Sequence, residues 1–469
     1  MKKFFTIAIL FASTLMSFSQ SLGYQDLGIL FSQNDNNGSA RFTAMSGAFG
    51  ALGGDISAIN VNPAGLSVFK NSMFSGTFSS KSSTIIASFG DADFNDRQSL
   101  TTNNEAVSLS NAGAVLVFDS AYNSDWDKFA IGFNYRVTKG FSDNFSAEGN
   151  EAIAIFDTNP RDTGTPRTLY NFTDGQLFNT SYAGEITELN FAFSAVHQKK
   201  IHLGMSVNFY SLNFSQQSVL TELNSDVDGN ILDVELYQEN FTTGTGFSAN
   251  AGFIYKAHKS FRFGLAYQTP TWYTEVLQDT NYNQDSATDI GETTFFPENQ
   301  DTFSEFNDLQ FISYRLKTPS KLTASAAFIF GKNGLLSFDY INKNYQNIKL
   351  SDGVFTNENQ YFQNDLKNTH NYNIGTEWRF DQFSVRGGYN FEQTPNKNNL
   401  LSTNSVINSS DIEGYSLGGG YNFGNFKLDF AFSNNNRTSS YDFYNGFDVK
   451  PADLTLDNRI FTTTITLNL

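Results

Sequence analysis

Three arginines, Arg136, Arg262 and Arg386, lie in segments where apolar and polar side chains alternate. By that alternation each falls on the face opposite the apolar residues, so the three side chains are expected on one inner, polar face. A planar guanidinium can bind a carboxylate through two parallel hydrogen bonds, which would suit a ligand that carries an acid. The alternative is an ion-pair network among inward-facing charges that holds an internal segment in place. The sequence leaves both interpretations open.

One acidic stretch, 225–233, has some features of a cation site. Asp226, Asp228, Asn230 and Asp233 surround a glycine there. A calcium loop would need further oxygen ligands and a late bidentate glutamate, whereas Asp-Gly between two strands is typical of a hairpin turn. The chain has no cysteine, and its four histidines lack the spacing of a zinc hydrolase. We therefore expect no metal site and no cofactor.

In the segments that contain these residues, apolar and polar side chains alternate with a period of two. In the last segment Phe461, Ile465 and Leu467 lie on one face, and Thr462 and Thr464 lie on the other. Strict alternation indicates strands with one apolar and one polar face. The pattern predicts fourteen strands, at about 72–90, 111–119, 128–146, 188–198, 201–216, 246–257, 260–275, 319–331, 335–348, 369–380, 383–394, 411–424, 425–434 and 458–469.

The connections between the predicted strands alternate between short and long. Short turns are expected at 198–200, 257–259, 331–334, 381–382 and 424–425, and long polar connections at 147–187, 217–245 and 276–318. Transmembrane barrels have short periplasmic turns and longer external loops, and their closure gives every main-chain N–H and C=O a partner within lipid. We therefore predict an all-β, fourteen-stranded antiparallel transmembrane barrel. The alternative is a soluble all-β protein with solvated loops.

The composition and the first residues agree with such a barrel. The 469 residues include 49 Phe and 21 Tyr, yet the mean hydropathy is −0.34. Lys2 and Lys3 precede an apolar stretch and the small residues Ser17 and Ser19, which predicts a signal peptide over 1–19 and an outer-membrane location. Without those two lysines, 28 basic residues remain against 47 acidic ones, a formal charge of −19 that disfavours nucleic acid as a partner.

Residues 20–70 do not fit the strand pattern. They contain closely spaced glycines, and we predict one helix over Ala40–Phe49 and a second over Ile56–Val61, capped by Asp55. A segment of small residues at the periplasmic mouth of a barrel is typical of a plug, or hatch. The barrel itself would then occupy 71–469.

The junction between the two parts is Asn62-Pro63-Ala64-Gly65. Pro63 disfavours helical geometry at Asn62, and Gly65 permits a tight turn with positive φ. Preceded by "GALGGDISAI" and followed by an alternating strand, this stretch resembles the hatch-to-barrel junction of the FadL-like family of long-chain fatty-acid transporters in the outer membrane. The resemblance extends to the sequence over about residues 40–80. In the rest of the chain it is limited to the architecture, a fourteen-stranded barrel. The chain departs from many outer-membrane barrels by ending in Leu469 rather than in an aromatic residue, and no position aligns with the ligand contacts of the family.

The resemblance implies a fourteen-stranded barrel that is occluded by its hatch and that takes up hydrophobic compounds passively. The ligand, a long-chain fatty acid or an aromatic hydrocarbon, would bind in the lumen and leave sideways into outer-membrane lipid when the hatch moves. Gly132 and Gly140 in the third strand are candidates for a kink that opens such a gap. Arg136, Arg262 and Arg386 would contact the ligand or the hatch.

Two other functions stay open at this point. Barrels of this type can act as scaffolds or shuttle subunits in protein secretion and surface assembly, which would require a partner from the secretion machinery. An enzyme is not expected, because the chain has no nucleophile-elbow, phosphate-loop or paired-carboxylate motif. A barrel enzyme would need a serine and a histidine that face one another in the lumen or at the membrane interface.

Overall fold

The computed structural model describes residues 21–91, 96–120, 125–280, 292–298, 300–305, 310–397, 405–445 and 447–469. The predicted signal peptide, residues 1–19, lies outside these ranges. Among the described residues, no helix has both the length and the apolar character that crossing a membrane requires.

The described strands form one closed antiparallel barrel of fourteen strands. They are β1 (Met73–Phe89), β2 (Gln98–Asp119), β3 (Trp126–Gly140, continued by Phe145–Gly149), β4 (Phe172–His197), β5 (Ile201–Ser225), β6 (Ile231–His258), β7 (Phe261–Gln268 and Trp272–Thr280), β8 (Gln310–Lys317 and Lys321–Phe330), β9 (Gly334–Asn344 and Lys349–Ser351), β10 (Asn368–Phe380), β11 (Phe383–Glu392), β12 (Ile407–Ser409 and Ile412–Asn422), β13 (Phe426–Tyr441) and β14 (Ala452–Asn468). Closure comes from β14 pairing with β1, from Met73 opposite Asn468 to Ser88 opposite Asp453. Two short strands, Glu292–Pro297 and Phe303–Glu305, extend the sheet beside β6.

The predicted strand number and order are confirmed, but several strands are longer than predicted. Residues 217–245 are not a long loop: β5 and β6 continue as a hairpin to a turn at Asp226–Asn230. The inward residues stay buried along β5 up to Asn224, while outward residues such as Ser211 and Gln217 are polar. The alternation of apolar and polar side chains therefore ends before the strand does, and the ladder of main-chain hydrogen bonds continues beyond it.

The turns agree with the sequence prediction. The Asp226 carboxylate accepts hydrogen bonds from the main-chain N–H of Asp228 and Asn230, at 2.9 and 2.8 Å, and Gly229 has a φ of 83°. This is the predicted Asp-Gly hairpin turn rather than a calcium loop. The short turns after β4, β8, β10 and β12 each contain a residue with positive φ, as tight strand connections require.

The helices are short and lie mostly before β1. They are α1 (Tyr24–Leu30), α2 (Ala40–Thr43) and α3 (Thr356–Asp365), with 3₁₀ turns at Ser57–Asn60, Pro63–Val68 and Tyr345–Asn347. The prediction of one helix over Ala40–Phe49 is wrong, because left-handed backbone at Ser46 and Gly47, with φ of 49° and 76°, interrupts it. The second predicted helix is only a 3₁₀ turn, and Asp55 accepts a hydrogen bond from the Ser57 N–H at its start, at 3.0 Å.

The barrel wall has apolar side chains outside and polar ones inside. Phe133, Phe191 and Phe209 lie on three neighbouring strands and point outwards. The exposed fraction of the residue is 41% for Phe133 and 51% for both Phe191 and Phe209. They stack edge to face across the strands, with ring centroids 5.2 and 6.2 Å apart. The adjacent inward residues Asn134 and Asn190 are fully buried. This is the reverse of a soluble protein and fits a wall that faces lipid.

We expect Phe191→Arg to destabilise the barrel by about 2–4 kcal/mol, because it places a charge on the apolar outer face. The measurement is the midpoint of urea unfolding, followed by the heat-dependent shift in gel migration of a folded barrel. Leu169→Arg is the matched control, since Leu169 is also an exposed apolar residue but precedes β4 in a loop. Equal tolerance of both changes would mean that the outer face does not contact lipid.

Candidate functional site

Residues 21–72, called here the N-terminal segment, run through the lumen from the loop end of the barrel to its turn end. At the loop end, the main-chain N–H groups of Ser21 and Leu22 donate to the side-chain oxygens of Gln238 and Gln216, at 2.8 and 2.9 Å. At the turn end, the Leu469 N–H bonds to the Ser72 carbonyl at 2.9 Å. The segment therefore contacts the inner wall along its length.

Helix α1 lies in an aromatic cluster at the loop end. The Tyr24 ring is 5.5 Å from that of Tyr314 and 5.2 Å from that of Phe355. Phe31 packs against Phe141 and Phe214 at 6.0 and 5.5 Å. Aromatic pairs in this geometry each contribute about 0.5–1.5 kcal/mol beyond the area they bury. The cluster thus anchors the start of the segment.

One carboxylate is buried within that cluster. Asp26 of α1 accepts hydrogen bonds from the Ser405 hydroxyl at 2.7 Å and from the Val406 N–H at 3.1 Å. Burial raises the pKa of Asp26 to about 6, although these hydrogen bonds favour its charged form. The contact ties α1 to the loop that precedes β12.

A second carboxylate holds the middle of the segment against β3. Asp35 bonds to the Lys139 ammonium at 2.9 Å and to the Gly140 N–H at 3.1 Å, and the Asp35 N–H donates to the Thr138 carbonyl at 2.7 Å. Burial acts to raise the pKa of Asp35, but the positive charges of Lys139 and Lys81 outweigh it and keep the pKa below its ordinary value. Asp35 is therefore charged at neutral pH and paired.

The glycine-rich part of the segment rests on β9. The Asp339 carboxylate accepts hydrogen bonds from the main-chain N–H groups of Phe49 and Gly50, both at 2.9 Å. A side chain at residue 50 would overlap the Ser325 hydroxyl. The absence of a side chain at Gly50 thus lets the main chain reach the wall.

An ion-pair network joins the segment to the turn-end half of the barrel. Arg41 of α2 bonds to the fully buried Glu377 carboxylate at 2.6 Å, and Arg386 bonds to Glu377 at 2.7 Å and to Asp429 at 2.6 Å. Arg379 also pairs with Glu377. Removing one partner of such a buried network leaves an uncompensated charge, which typically costs about 3–5 kcal/mol.

The three arginines singled out in the sequence all lie on the inner face, and each already has a partner. Arg136 bonds to Glu188 at 2.9 Å, Arg262 donates to the Leu52 carbonyl of the N-terminal segment at 2.9 Å, and Arg386 belongs to the network around Glu377. This arrangement supports the interpretation as an ion-pair network for Arg136 and Arg386, and it makes Arg262 a main-chain contact of the N-terminal segment.

The junction before β1 is built on the close approach of two glycines. Asn62 is extended, with φ −149° and ψ 106°, as expected before Pro63, and its side chain accepts from the Ala64 N–H at 3.1 Å. Its amide nitrogen donates to the Gly50 carbonyl at 2.8 Å. Gly65 lies in a 3₁₀ turn without positive φ. Its lack of a side chain instead lets it touch Gly53, whose Cα would lie 2.8 Å from a Cβ at position 65.

The ladder between β2 and β3 ends partway up the barrel. The two strands pair from Asp119 opposite Lys128 to Asn111 opposite Arg136. Further towards the loops, only the isolated bridge between Arg97 and Gly149 joins the described residues on the two sides. We call the interval between residues 98–110 and 137–149 the wall gap. One side-chain contact crosses it, from the Asn104 amide to the Asn144 carbonyl at 2.9 Å.

The two glycines singled out in β3 have different surroundings. Gly132 lies within an unbroken ladder on both sides, and a Cβ there would lie 2.8 Å from Leu66 of the N-terminal segment. Gly140 lies at the wall gap, just after a register shift at Val137 and Lys139, with open space where a Cβ would be.

Two cavities meet beside the wall gap. The larger, of about 500 Å³, is bordered by polar side chains of the N-terminal segment, by Val107 of β2 and by Gly140 and Phe141. The smaller, of about 80 Å³, is mainly apolar, with Leu22, Leu30 and Phe214 in its lining, and it also borders Gly140 and Phe141. The end of β3 therefore separates an apolar chamber near α1 from a wider cavity with a mixed polar and apolar lining.

A serine and a histidine do face one another in the lumen, but in an unsuitable arrangement for catalysis. The Ser67 hydroxyl lies 2.7 Å from His202 Nδ1 and 3.1 Å from the Ala64 carbonyl. Both contacts are satisfied together if His202 donates to Ser67 and Ser67 donates to Ala64, which leaves the hydroxyl unactivated. Both residues are buried. The described residues also contain no group of three or more potential metal ligands.

Several residues that hold the N-terminal segment were missed in the sequence, among them Arg41, Asp26, Asp35 and Asp339. The sequence did contain one indication. Arg41, Asp26 and Asp35 are isolated charged residues within a stretch that otherwise has few charges. Asp339 lies in the middle of a strand, where an unpaired carboxylate is costly. Such isolated charges predict a partner but do not identify it.

The fold is similar to that of several solved structures. A FadL homologue from Pseudomonas aeruginosa matches with a TM-score of 0.57 and 15% identity over 93% of this chain and 99% of that chain. The monoaromatic hydrocarbon channel CymD and the P. putida toluene transporter TodX each match with a TM-score of 0.52 and 12% identity over the same shares. No protein-family model and no curated protein sequence matches this chain. The resemblance noted at the junction is thus confirmed at the level of the fold.

We expect Gly65→Ala to loosen the N-terminal segment by about 1–3 kcal/mol, because the new methyl group would overlap the backbone of Gly53. The barrel ladder should be unaffected. Limited proteolysis of the segment, beside gel migration of the barrel, separates the two effects. Gly76→Ala in β1 is the control, since no atom lies within 4 Å of a Cβ there. Unchanged protection of the segment in Gly65→Ala would rule out this contact as an anchor.

We also expect docking of α1 to depend on pH through Asp26. Its pKa of about 6 lies above the ordinary 3.8, so its proton stabilises the folded state fully below pH 3.8, and this contribution is lost as the pH rises through 6. Asp26→Asn should therefore protect the α1 amides from hydrogen exchange more strongly than wild type at pH 7.5, by up to about 3 kcal/mol. The difference should shrink at pH 4.5, and a difference independent of pH would contradict this.

Proposed function

We propose that this protein is an outer-membrane channel for the passive uptake of hydrophobic compounds such as long-chain fatty acids or aromatic hydrocarbons. The observation that carries the proposal is the lumen: an apolar chamber at the loop end and a wider cavity at the wall gap meet at Gly140 and Phe141. The apolar outer wall and the fold shared with a FadL homologue and two hydrocarbon channels support it.

In this proposal the N-terminal segment is the hatch and the barrel begins near residue 71. A ligand enters from the loop end, binds among the aromatic residues around α1 and passes the end of β3. Since a polar passage would oppose an apolar chain, release sideways through the wall gap into outer-membrane lipid is the more favourable route. The junction Asn62-Pro63-Ala64-Gly65 and the network around Glu377 hold the hatch, and Arg136 and Arg262 support it from the wall.

The gap can be tested directly because the chain has no cysteine. We expect a disulfide in Asn104→Cys/Asn144→Cys to reduce uptake of a labelled long-chain fatty acid or of toluene several-fold, in cells that lack the native gene, and a reductant to restore it. Asn104 and Asn144 already touch across the gap. The matched control is Ser88→Cys/Ser99→Cys, a facing pair within the continuous β1–β2 ladder, where a cross-link should not change uptake.

The gene deletion itself tests the broader proposal. Complementation with the wild-type gene should restore uptake of the hydrophobic compound, while uptake of a small sugar should be the same in both strains. If the deletion changes the uptake of no hydrophobic compound, transport is not the function. A partner that co-purifies with the barrel would then favour the scaffold or shuttle role.

A further inference from the structure

The sheet continues well beyond the apolar band of the barrel wall at the β5–β6 hairpin. On β5, the outward residues from Ile201 to Phe209 are apolar, and this stretch is about 26 Å long, close to the height of an outer-membrane apolar band. The following outward residues, such as Ser211 and Gln217, are polar. β5 then runs on to Ser225, about 50 Å past Phe209 along the strand. The end of the hairpin therefore lies outside the lipid.

The part of the sheet beyond the band, called here the sheet extension, is formed by the loop ends of β4, β5 and β6 and by the short strand Glu292–Pro297. Its core is on the inner face, where five apolar residues pack together and are at most 6% exposed: Tyr170, Leu232, Val234, Phe295 and Phe303. The inner face therefore supplies the apolar burial that stabilises this part of the sheet. Apolar residues on its outer face are not needed for that purpose.

The outer face of the sheet extension is nevertheless apolar at its centre. One residue from each of its four strands contributes to what we call the outer patch: Phe172, Leu223, Ile231 and Phe296. Between 40% and 51% of each residue is exposed. Phe172 and Ile231 lie opposite Ser225 on its two sides, and Leu223 and Phe296 lie in the same way opposite Asp233. The four side chains therefore occupy two neighbouring rows on one face.

The sequence of these strands is that of strands covered on both faces. Ile231 and Leu232 are consecutive apolar residues, as are Phe295 and Phe296, so each pair places one apolar side chain inside and one outside. Such uninterrupted apolar pairs are typical of strands that are buried on both sides. Since lipid does not reach this part of the sheet, its exposed apolar patch indicates a surface that binds another macromolecule.

The outer patch has a negatively charged surround. Asp233 lies within it, between Leu223 and Phe296. Four further carboxylates lie close to it along the same strands and their connections: Asp174, Asp228, Glu235 and Glu298. Burial, together with the negative charge of Asp174, raises the pKa of Asp233. Lysine and arginine are absent from the sequence of the surrounding strands, over residues 172–197, 201–225, 231–255 and 292–298.

This charge narrows the choice of occupant. Arg161, in the loop before β4, stacks over Phe303 with its guanidinium carbon 4.0 Å from the ring centre, so its charge lies on the inner side of the sheet. A second copy of the chain would bring the same carboxylates to the contact, and the phosphates of lipopolysaccharide are negative as well. Like charges that meet across an interface oppose binding. The surface is complementary to apolar side chains that are flanked by cations.

We propose that the outer patch is the docking surface for a protein partner at the cell exterior, whose contact segment carries apolar side chains flanked by lysine or arginine. The apolar side chains of the partner cover the four patch residues, and its cations pair with Asp233 and the neighbouring carboxylates. The surface lies outside the lumen. Its role is therefore separate from the proposed uptake of hydrophobic compounds and does not depend on it.

The first test measures binding of three fluorescent peptides to the full-length barrel, purified in nonionic detergent, by fluorescence anisotropy. One peptide alternates Phe and Leu with Lys, the second has Glu in place of Lys, and the third has Ser in place of Phe and Leu. We expect only the first to bind, and Leu223→Ser/Ile231→Ser to weaken it about tenfold without changing heat-dependent gel migration. Val354→Ser is the matched control, since Val354 is an exposed valine in another loop. Equal binding of the first and third peptides, or equal weakening in the control, would overturn the proposal.

A charge-reversing variant gives a readout that misfolding cannot produce. Asp233→Lys/Glu235→Lys keeps the four apolar residues but makes the centre of the surround basic. We therefore expect it to lose the lysine peptide and to bind the glutamate peptide instead. High salt should weaken both complexes, because it screens exposed charges. Loss of the lysine peptide without any gain of the glutamate peptide would contradict the proposed charge match.

Photo-cross-linking in intact cells of the bacterium that makes this protein identifies the occupant. The photoreactive residue p-benzoylphenylalanine replaces Ile231 or, as the control, Gln217 on the outward face of β5. We expect the probe at position 231, but not at 217, to cross-link to a protein through a peptide with apolar and basic residues, and Asp233→Lys to abolish the adduct. An adduct with lipopolysaccharide or with a second copy of this chain, or no adduct, would overturn the proposal. Uptake is tested separately by the gene deletion and is unaffected by these outcomes.

Discussion

The main-chain hydrogen bonds of the closed sheet are the constraint on which the rest of the structure depends. Within lipid, an unpaired N–H or C=O has no water to bond to, so a spanning sheet must close on itself. The pairing of β14 with β1 along nearly the whole of both strands meets that requirement. Closure also fixes which face of every strand points inwards, and it therefore decides which side chains are brought together in the lumen.

A closed wall creates an interior that must be filled, and here the N-terminal segment fills it. The charges inside are mostly compensated in pairs: Asp35 with Lys139, Arg41 with Glu377, Arg136 with Glu188. Close main-chain contacts, such as that of Gly53 with Gly65, complete the packing. Where these arrangements stop, at the wall gap, the structure keeps open space beside the N-terminal segment.

Much of the fold could be predicted because alternation is a local signal. Alternation identified fourteen strands and the short turns. It failed where the outward side chains of a strand become mostly polar, as they do at the loop ends of β5 and β6 between residues 217 and 245. The helix expected over Ala40–Phe49 was wrong, since contacts with the wall, such as that of Gly50 with Asp339, select a tighter and more irregular backbone. Helix propensity in so short a stretch is too weak to oppose them.

For the candidate site, the sequence determined which residue types face inwards but not their partners. It indicated the inner position of Arg136, Arg262 and Arg386 and the turn geometry of Asn62 before Pro63. Only the tertiary structure decided that each of these arginines already has a partner and that Gly65 is needed for close approach rather than for positive φ. The reason is physical: alternation depends on neighbours along one strand, whereas charge compensation depends on register between strands and on a segment that arrives from far away in the chain.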